Sequence, residues 1–266
     1  MEARSLASVL RRFPISIETI RGIDVATDEL GVPTWVIALL FRHVRKAGIA
    51  ASETLRRRAD ILVPPLRATA HAGEDFIHLM TGLRHVDEAI TRLELREGDR
   101  IGHGVALGVD PHAWCHPAGR IAVAREERLF DLVWELSWYG RGDLESPGGR
   151  VHRIERQVAR LSKTIFGLTI SLFDMELLTE LIECLYSEPG VKVDAPPVSI
   201  CIGSDNPLTF VTNLPEEYQL LLDALVLAGC SGEQARQWLN RVRETGLENR
   251  FTVPRSGLAI TSMMNP

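Results

Sequence analysis

The 266-residue sequence lacks the features that mark membrane and secreted proteins. No uncharged apolar run reaches the ~18 residues that a membrane-spanning helix needs. The N-terminus has neither the apolar core nor the cleavage site of a signal peptide. The cysteines form no CxxC pair and no regular framework, so we expect reduced thiols in a cytoplasmic protein. They are Cys115, Cys184, Cys201 and Cys230.

An excess of basic residues is absent as well. Lys and Arg total 30 against 35 Asp and Glu, for a formal net charge of −5. That charge gives no global electrostatic reason to expect nucleic-acid binding. With 45% hydrophobic and 24% charged residues, the composition is that of a globular protein with a sizeable core. The length suits one large domain or two small ones.

Strand and helix patterns alternate along the chain. The predicted strands are 19–25, 67–71, 99–107 and 197–203, and the predicted helices are 33–47, 76–95, 215–229 and 232–245. In the first helix, Trp35, Leu39 and Val44 recur at helical spacing. Alternation of this kind predicts a parallel α/β architecture, whose active sites lie at the carboxyl ends of the strands.

The stretch from about 108 to 190 interrupts this alternation, and we predict that it is an inserted, mainly helical region. It carries a predicted helix at 124–139, a loop rich in Gly and Pro at 140–149, and then a helix with a basic face. That face consists of Arg153, Arg156, Arg160 and Lys163. We interpret it as solvated surface, and the alternative is contact with a phosphate-bearing substrate.

The first of three polar motifs is His71-Ala72-Gly73-Glu74, at the end of the second predicted strand. Gly73 permits a sharp turn that brings His71 and Glu74 to one cleft. An imidazole beside a carboxyl group suits a metal ligand next to a proton donor. The alternative is a chance pair at a helix N-terminus, where glutamate is favoured anyway.

The second motif is Arg100-Ile101-Gly102-His103-Gly104, in the third predicted strand. A histidine between two glycines is sterically bare, so a substrate can approach it closely. Taken alone, the motif is more often an ordinary loop histidine.

The third motif is Ser204-Asp205-Asn206-Pro207, directly after the apolar run that ends at Ile202. An aspartate just past a buried strand is a common cation ligand. The alternative is an Asx-type turn before the next helix.

In this order and at these spacings, the three motifs resemble the HxGE, IGHG and SDDP motifs of the adenosine/AMP deaminase family of metal-dependent hydrolases. That family folds as a (β/α)8 barrel. The flanking sequences are similar too: residues 22–29, GIDVATDE, resemble the family's GIDLAGDE strand. The continuation after the third motif carries Phe210, Thr212, Glu217 and Tyr218. The resemblance covers about residues 19–107 and 197–250.

The resemblance implies a zinc-dependent aminohydrolase that acts on adenosine or another adenine-containing substrate. By it, His71 and Asp205 would ligate zinc, and His103 would orient and activate the zinc-bound water, which Asp205 helps to deprotonate. Zinc lowers the pKa of bound water from about 15.7 to about 7.

The same resemblance implies the substrate contacts. Glu74 would protonate the purine ring nitrogen, and Gly73 would lie against the purine. Asn206 stands where the family has a second aspartate that contacts the ribose or base, so substrate preference would differ there.

The sequence departs from the family at its first barrel strand, which carries an HxH pair of zinc ligands. No HxH occurs in the 266 residues, and the segment before Thr19 is too short for three strands. We therefore expect residues 1–266 to form one domain, the C-terminal part of a barrel with its first strands missing. Residues 181–188 resemble a degenerate form of the family's CPxSN strand. Residues 82–88, GLRHVDE, resemble the long bacterial deaminases of anti-phage systems.

Other histidines offer little replacement for the missing ligands. His112 and His116 have i, i+4 spacing, but Pro111 and Pro117 predict a loop there. The remaining histidines on predicted helices are expected at the surface. They are His43, His78, His85 and His152.

Two further hypotheses follow from the missing strands. An open part-barrel exposes a strand edge beside apolar surface, which predicts a complementing polypeptide or a homo-oligomer. With the zinc ligands incomplete, the chain alone is expected to bind zinc weakly. The alternative to an enzyme is a non-catalytic remnant, or a subunit that completes a barrel with another polypeptide. We expect no membrane contact.

Overall fold

The computed structural model describes residues 2–26, 28–142, 145–167, 200–203 and 212–251. The chain divides into two compact units, Met1–Val191 and Lys192–Pro266. Within the described ranges, every helix is too short or too polar to cross a bilayer.

The first unit contains seven α-helices among its described residues: α1 (Glu2–Arg12), α2 (Thr34–Ala59), α3 (Leu79–Arg92), α4 (Val105–Gly108), α5 (Pro111–Ala118), α6 (Arg125–Gly140) and α7 (Arg150–Phe166). A short 3-10 helix spans Pro14–Glu18. The strands are β1 (Gly22–Val25), β2 (Arg67–Ala72) and β3 (Arg100–His103). The second unit contains α8 (Leu214–Leu227) and α9 (Gly232–Glu248).

The three strands form one parallel sheet in the order β1-β2-β3. Val25 pairs with Ala70 and Ala72 pairs with His103, so the carboxyl ends of the strands meet at the same edge. The prediction of a parallel α/β architecture is confirmed. That the sheet is part of a (β/α)8 barrel stays a prediction.

Helix α2 buries a face of small residues, and this differs from the predicted stripe. Val44 is buried, but Trp35 is 55% exposed and Leu39 is 68% exposed. The buried face is Ala38, Phe41, Val44, Ala47, Gly48, Ala51, Ser52 and Leu55. Small side chains let the helix approach its neighbours closely. A Cβ at Gly48, for example, would lie 2.8 Å from Cγ of Leu66.

The predicted strand 99–107 is shorter than expected. It ends at His103, and α4 begins at Val105. His103 and Gly104 have φ angles of 63° and 59°, and two successive residues in the left-handed region end an extended strand.

Two other expectations are corrected. A helix, α5, replaces the loop predicted around His112 and His116, because Pro111 occupies its first turn, where proline is tolerated, and the Asp110 side chain caps it. In the predicted strand 197–203, the described residues 200–203 have no regular secondary structure. Ile200 is 59% exposed there, so the described part of the run does not pack as a buried strand.

Two helices of the region predicted to be an insertion, α6 and α7, pack against each other. Leu129 and Leu132 of α6 contact Ile154 and Val158 of α7 in a small core of their own. The four basic residues of the predicted face of α7 are all exposed, as the interpretation of a solvated face predicts. They are Arg153, Arg156, Arg160 and Lys163.

Candidate active site

Two of the three sequence motifs meet at the carboxyl edge of the sheet. The Nε2 atom of His103 lies 3.2 Å from Oε2 of Glu74. The rings of His71 and His103 are 4.9 Å apart, centroid to centroid. The side chain of Glu74 is 42% exposed and that of His103 is 26% exposed, so both are open to a small molecule. The edge therefore gathers two imidazoles and one carboxyl group.

The His71 ring is held from the neighbouring strand. Its Nδ1 lies 3.2 Å from the Val25 carbonyl oxygen and 3.5 Å from Oδ1 of Asp24. A hydrogen bond from Nδ1–H to that carbonyl leaves Nε2 as the nitrogen with a free lone pair. Gly102 supports the ring from β3, where a Cβ would lie 3.2 Å from Cδ2 of His71. Glycine suits this position because a side chain here would crowd the His71 ring.

Gly73 makes the turn between β2 and Glu74. Its φ angle is 74°, and a Cβ there would lie 2.6 Å from Cγ2 of Val86. Its N–H donates to Glu29, and its carbonyl accepts from the N–H of Ala106. Both its conformation and the packing therefore require a glycine. A side chain at position 73 would point towards α3.

The adenosine deaminase family model matches residues 2–240. The chain belongs to the adenosine deaminase family. The match extends beyond the predicted range to α1 and to the region predicted to be an insertion. Membership of this family supports a hydrolytic deaminase activity. A comparison with curated proteins finds no match. Membership of the anti-phage subgroup stays a prediction.

Sequence reasoning missed three residues beside the site of this deaminase-family chain: Asp24, Glu29 and His85. Asp24 lies in β1 and Glu29 in the turn that follows it, and their position near the end of a strand was the available signal. His85 was expected at the surface, but its side chain is only 7% exposed. The expectation is wrong because α3 packs between Glu29 and α6.

The Glu29 carboxylate binds the turn that carries Glu74. Its Oε2 accepts the N–H of Gly73 at 2.8 Å, and its Oε1 accepts that of Glu74 at 3.1 Å. Nδ1 of His85 lies 3.2 Å from the same Oε2. Burial alone would raise the pKa of Glu29, but the hydrogen bonds from His85 and from the two amides outweigh it and lower that pKa.

His85 is held in its charged form by two carboxylates. Burial would lower its pKa, but the carboxylates of Glu127, at 3.7 Å, and Glu29, at 3.2 Å, outweigh burial and raise the pKa to about 9. Glu127 belongs to α6, so this helix is linked through His85 and Glu29 to the turn that carries Glu74.

The described residues fit a zinc ion only in part. His71 has the arrangement of a metal-ligating histidine, with one ring nitrogen bonded to a carbonyl and the other available. Among the described residues, however, no group of three His, Cys, Asp or Glu side chains is arranged to hold a metal. Asp205 and Asn206 lie outside the described residues. The zinc ligand set therefore stays a prediction.

Proposed function

We propose that the chain is a zinc-dependent aminohydrolase that removes the amino group of adenosine or of another adenine-containing substrate. One observation carries the proposal: the pairing of Glu74 with His103, beside His71, at the carboxyl edge of a parallel sheet in a chain of this family. A proton donor, a second proton-transfer group and a metal ligand are the parts that this reaction needs.

In this mechanism Glu74 gives a proton to a purine ring nitrogen. Protonation makes the adjacent amine-bearing carbon electrophilic, so that water adds to it and ammonia leaves. The exposure of the Glu74 side chain allows direct contact with a substrate. Gly73, whose backbone N–H and C=O are both engaged, would contact the purine by van der Waals packing only.

His103 orients and activates the attacking water. It lies within hydrogen-bonding distance of Glu74, so one proton can pass between the face where water attacks and the face where the ring nitrogen is protonated. Zinc, when bound, would supply the Lewis acid that makes water nucleophilic at neutral pH.

His71 and Asp205 are the zinc ligands in this proposal, and Asn206 is a substrate contact. The roles of Asp205 and Asn206 are supported by the SDNP motif alone. Since no HxH occurs in the sequence, further zinc ligands would come from another segment, and we expect the 266-residue polypeptide alone to bind zinc weakly.

A partner that supplies those ligands would cover two features of the first unit. Among the described strands, β1 pairs only with β2, so its other edge is open. At the start of α2, Trp35, Leu39 and Leu40 are 55%, 68% and 50% exposed. An open edge beside apolar surface favours association with a complementing polypeptide or a second copy.

The test measures ammonia release from adenosine and AMP in the presence of Zn²⁺, with the polypeptide alone and with an HxH-bearing family segment supplied. We expect little release from the polypeptide alone and clear release with the segment. Stoichiometric zinc in the dialysed polypeptide alone would contradict weak binding. No release with the segment and bound zinc would contradict the proposed activity and favour a non-catalytic subunit.

A further inference from the structure

Glu74 has little of its own to fix its position. Its side chain is 42% exposed, and the contact that the structure gives its carboxyl group is with His103. The preceding residue, Gly73, is in the left-handed region, where a glycine backbone is permissive. A proton donor must nevertheless be held within a fraction of an ångström of its productive position. Something outside the turn has to hold it.

The Glu29 carboxylate is the side chain that does so, in addition to the hydrogen bond that the Ala106 N–H donates to the Gly73 carbonyl. It accepts the backbone N–H groups of both Gly73 and Glu74, with one oxygen for each. Such a fork holds two successive peptide groups, Ala72–Gly73 and Gly73–Glu74, and hence the direction of the Cα–Cβ bond of Glu74. The Glu29 side chain is only 6% exposed, so water does not compete strongly for its oxygens.

Glu29 is itself anchored to a buried ionic cluster, which we define as Arg84, His85, Glu88, Glu127 and Asp131. His85 contacts Glu29 through Nδ1, and its Nε2 lies 3.7 Å from Glu127. Arg84, 4% exposed, pairs with Glu127 and Asp131 of α6. The cluster therefore joins α3, α6 and the active-site turn in one connected network.

Further contacts within the cluster, and one from Thr81, complete the network. Arg84 also pairs with Glu88 at 2.9 Å, and the Thr81 hydroxyl donates to Asp131 at 2.7 Å. Each carboxylate thus has a donor, which is the condition for a buried polar network to be rigid. Rigidity is what a support for a catalytic turn requires.

We infer that Glu29 is a positioning residue for Glu74, and that the ionic cluster carries this support from helix α6 to the active-site turn. The inference rests on the proposed function only for what Glu74 does. The structural part, that Glu29 holds the turn, can be tested without any activity.

The main variant is Glu29→Gln. Its amide NH2 would face one of the two N–H donors, so at most one of the two hydrogen bonds can remain. We expect amide hydrogen exchange at Gly73 and Glu74 to accelerate at least about 10-fold. In the active enzyme kcat should fall about 10–100-fold with a smaller change in KM, as for other residues that orient a catalytic group. Glu29→Asp keeps the charge, so it should retain part of the exchange protection at Gly73 and Glu74 and part of kcat.

The matched control is Glu53→Gln, which removes the same charge from a side chain that is 51% exposed and paired only weakly, at 3.7 Å, with Arg57. Exchange at Gly73 and Glu74, and kcat, should not change in this variant. Glu127→Gln, one step further along the network, should accelerate exchange at the same two amides by a smaller factor.

Unchanged exchange at Gly73 and Glu74 in folded Glu29→Gln protein would overturn the inference. Should that variant not fold, scalar coupling across the hydrogen bonds, from the Gly73 and Glu74 amide nitrogens to the Glu29 carboxyl carbon, decides the question in the unmodified protein. Absence of both couplings would overturn it. Faster exchange in a protein that never releases ammonia would sink the proposed function and leave Glu29's structural role standing.

Discussion

His103 points its Nε2 atom at Oε2 of Glu74 across 3.2 Å, and it does so from a backbone with a φ angle of 63°. The left-handed region is costly for a residue with a side chain, by about 1–3 kcal/mol. A histidine held there, where glycine or asparagine would be more stable, supports the proposed role of its imidazole in proton transfer.

Replacing His103 with asparagine should separate stability from activity. Asparagine tolerates the left-handed region, so we expect the free energy of unfolding to stay within about 1 kcal/mol of the original or to rise. Loss of the proton-transfer group should lower kcat by about 10²–10⁴-fold in the complemented enzyme. Urea denaturation and ammonia release measure the two effects. A large loss of stability would show that the imidazole is structural.

Gly73→Ala should destabilise the protein through two separate costs. A positive φ angle costs alanine about 1–2 kcal/mol, and the contact with Val86 adds about 1–3 kcal/mol of overpacking. Gly142→Ala is the matched control, because Gly142 has a φ angle of 75° and nothing within 4 Å of the added Cβ. We expect denaturant unfolding to show the larger loss for Gly73→Ala. Equal losses would mean that the packing of α3 against the turn is unimportant.

Stability should decline in alkaline solution because of His85. Its folded pKa, about 9, lies above the ordinary value of 6.5. The stabilisation is therefore fully present below about pH 6.5 and is lost as pH rises through about 9, by an amount on the order of 3 kcal/mol.

Urea denaturation between pH 6 and 10 measures this loss. The His85→Gln variant is the control, because its pH dependence comes from all the other titratable groups. The difference in free energy of unfolding between the two proteins should shrink across that range. A difference that does not depend on pH would contradict the charged state assigned to His85.

Association should be visible in the purified polypeptide. The open edge of β1 and the exposed Trp35, Leu39 and Leu40 predict self-association or strong binding of an apolar dye. Size-exclusion chromatography with light scattering measures the first, and dye fluorescence the second. Leu39→Lys should reduce both, whereas Ile121→Lys, on a separate surface segment, should not. A monomer that binds no dye would refute the prediction of a partner.

The parallel sheet and half of the candidate site could be predicted from the sequence because their determinants are local. HAGE and IGHG each stand at a strand end, and parallel strands bring such ends together. The positions of Glu29 and His85 could not be predicted in this way. Their partners are far away in the chain, and an isolated histidine on an amphipathic helix carries no sign of the carboxylate that will cover it.

The face of α2 was mispredicted for a related reason. Periodicity selects the large apolar residues, Trp35 and Leu39, but the core selects Ala47 and Ala51, which pack with Ala7 and Leu10 of α1. Which apolar stripe is buried depends on the space between neighbouring elements, and the sequence of a single helix does not determine that space.

The most direct measurement is the rate of ammonia release from adenosine by zinc-loaded protein supplied with the HxH segment, compared between the original chain, Glu74→Gln and the exposed control Glu53→Gln. We predict that Glu74→Gln loses about 10²–10⁴-fold in kcat while zinc content and unfolding are unchanged, and that Glu53→Gln behaves like the original. A Glu74→Gln protein that keeps near-full rate would contradict the role of Glu74 as proton donor and, with it, the assignment of this strand edge as the active site.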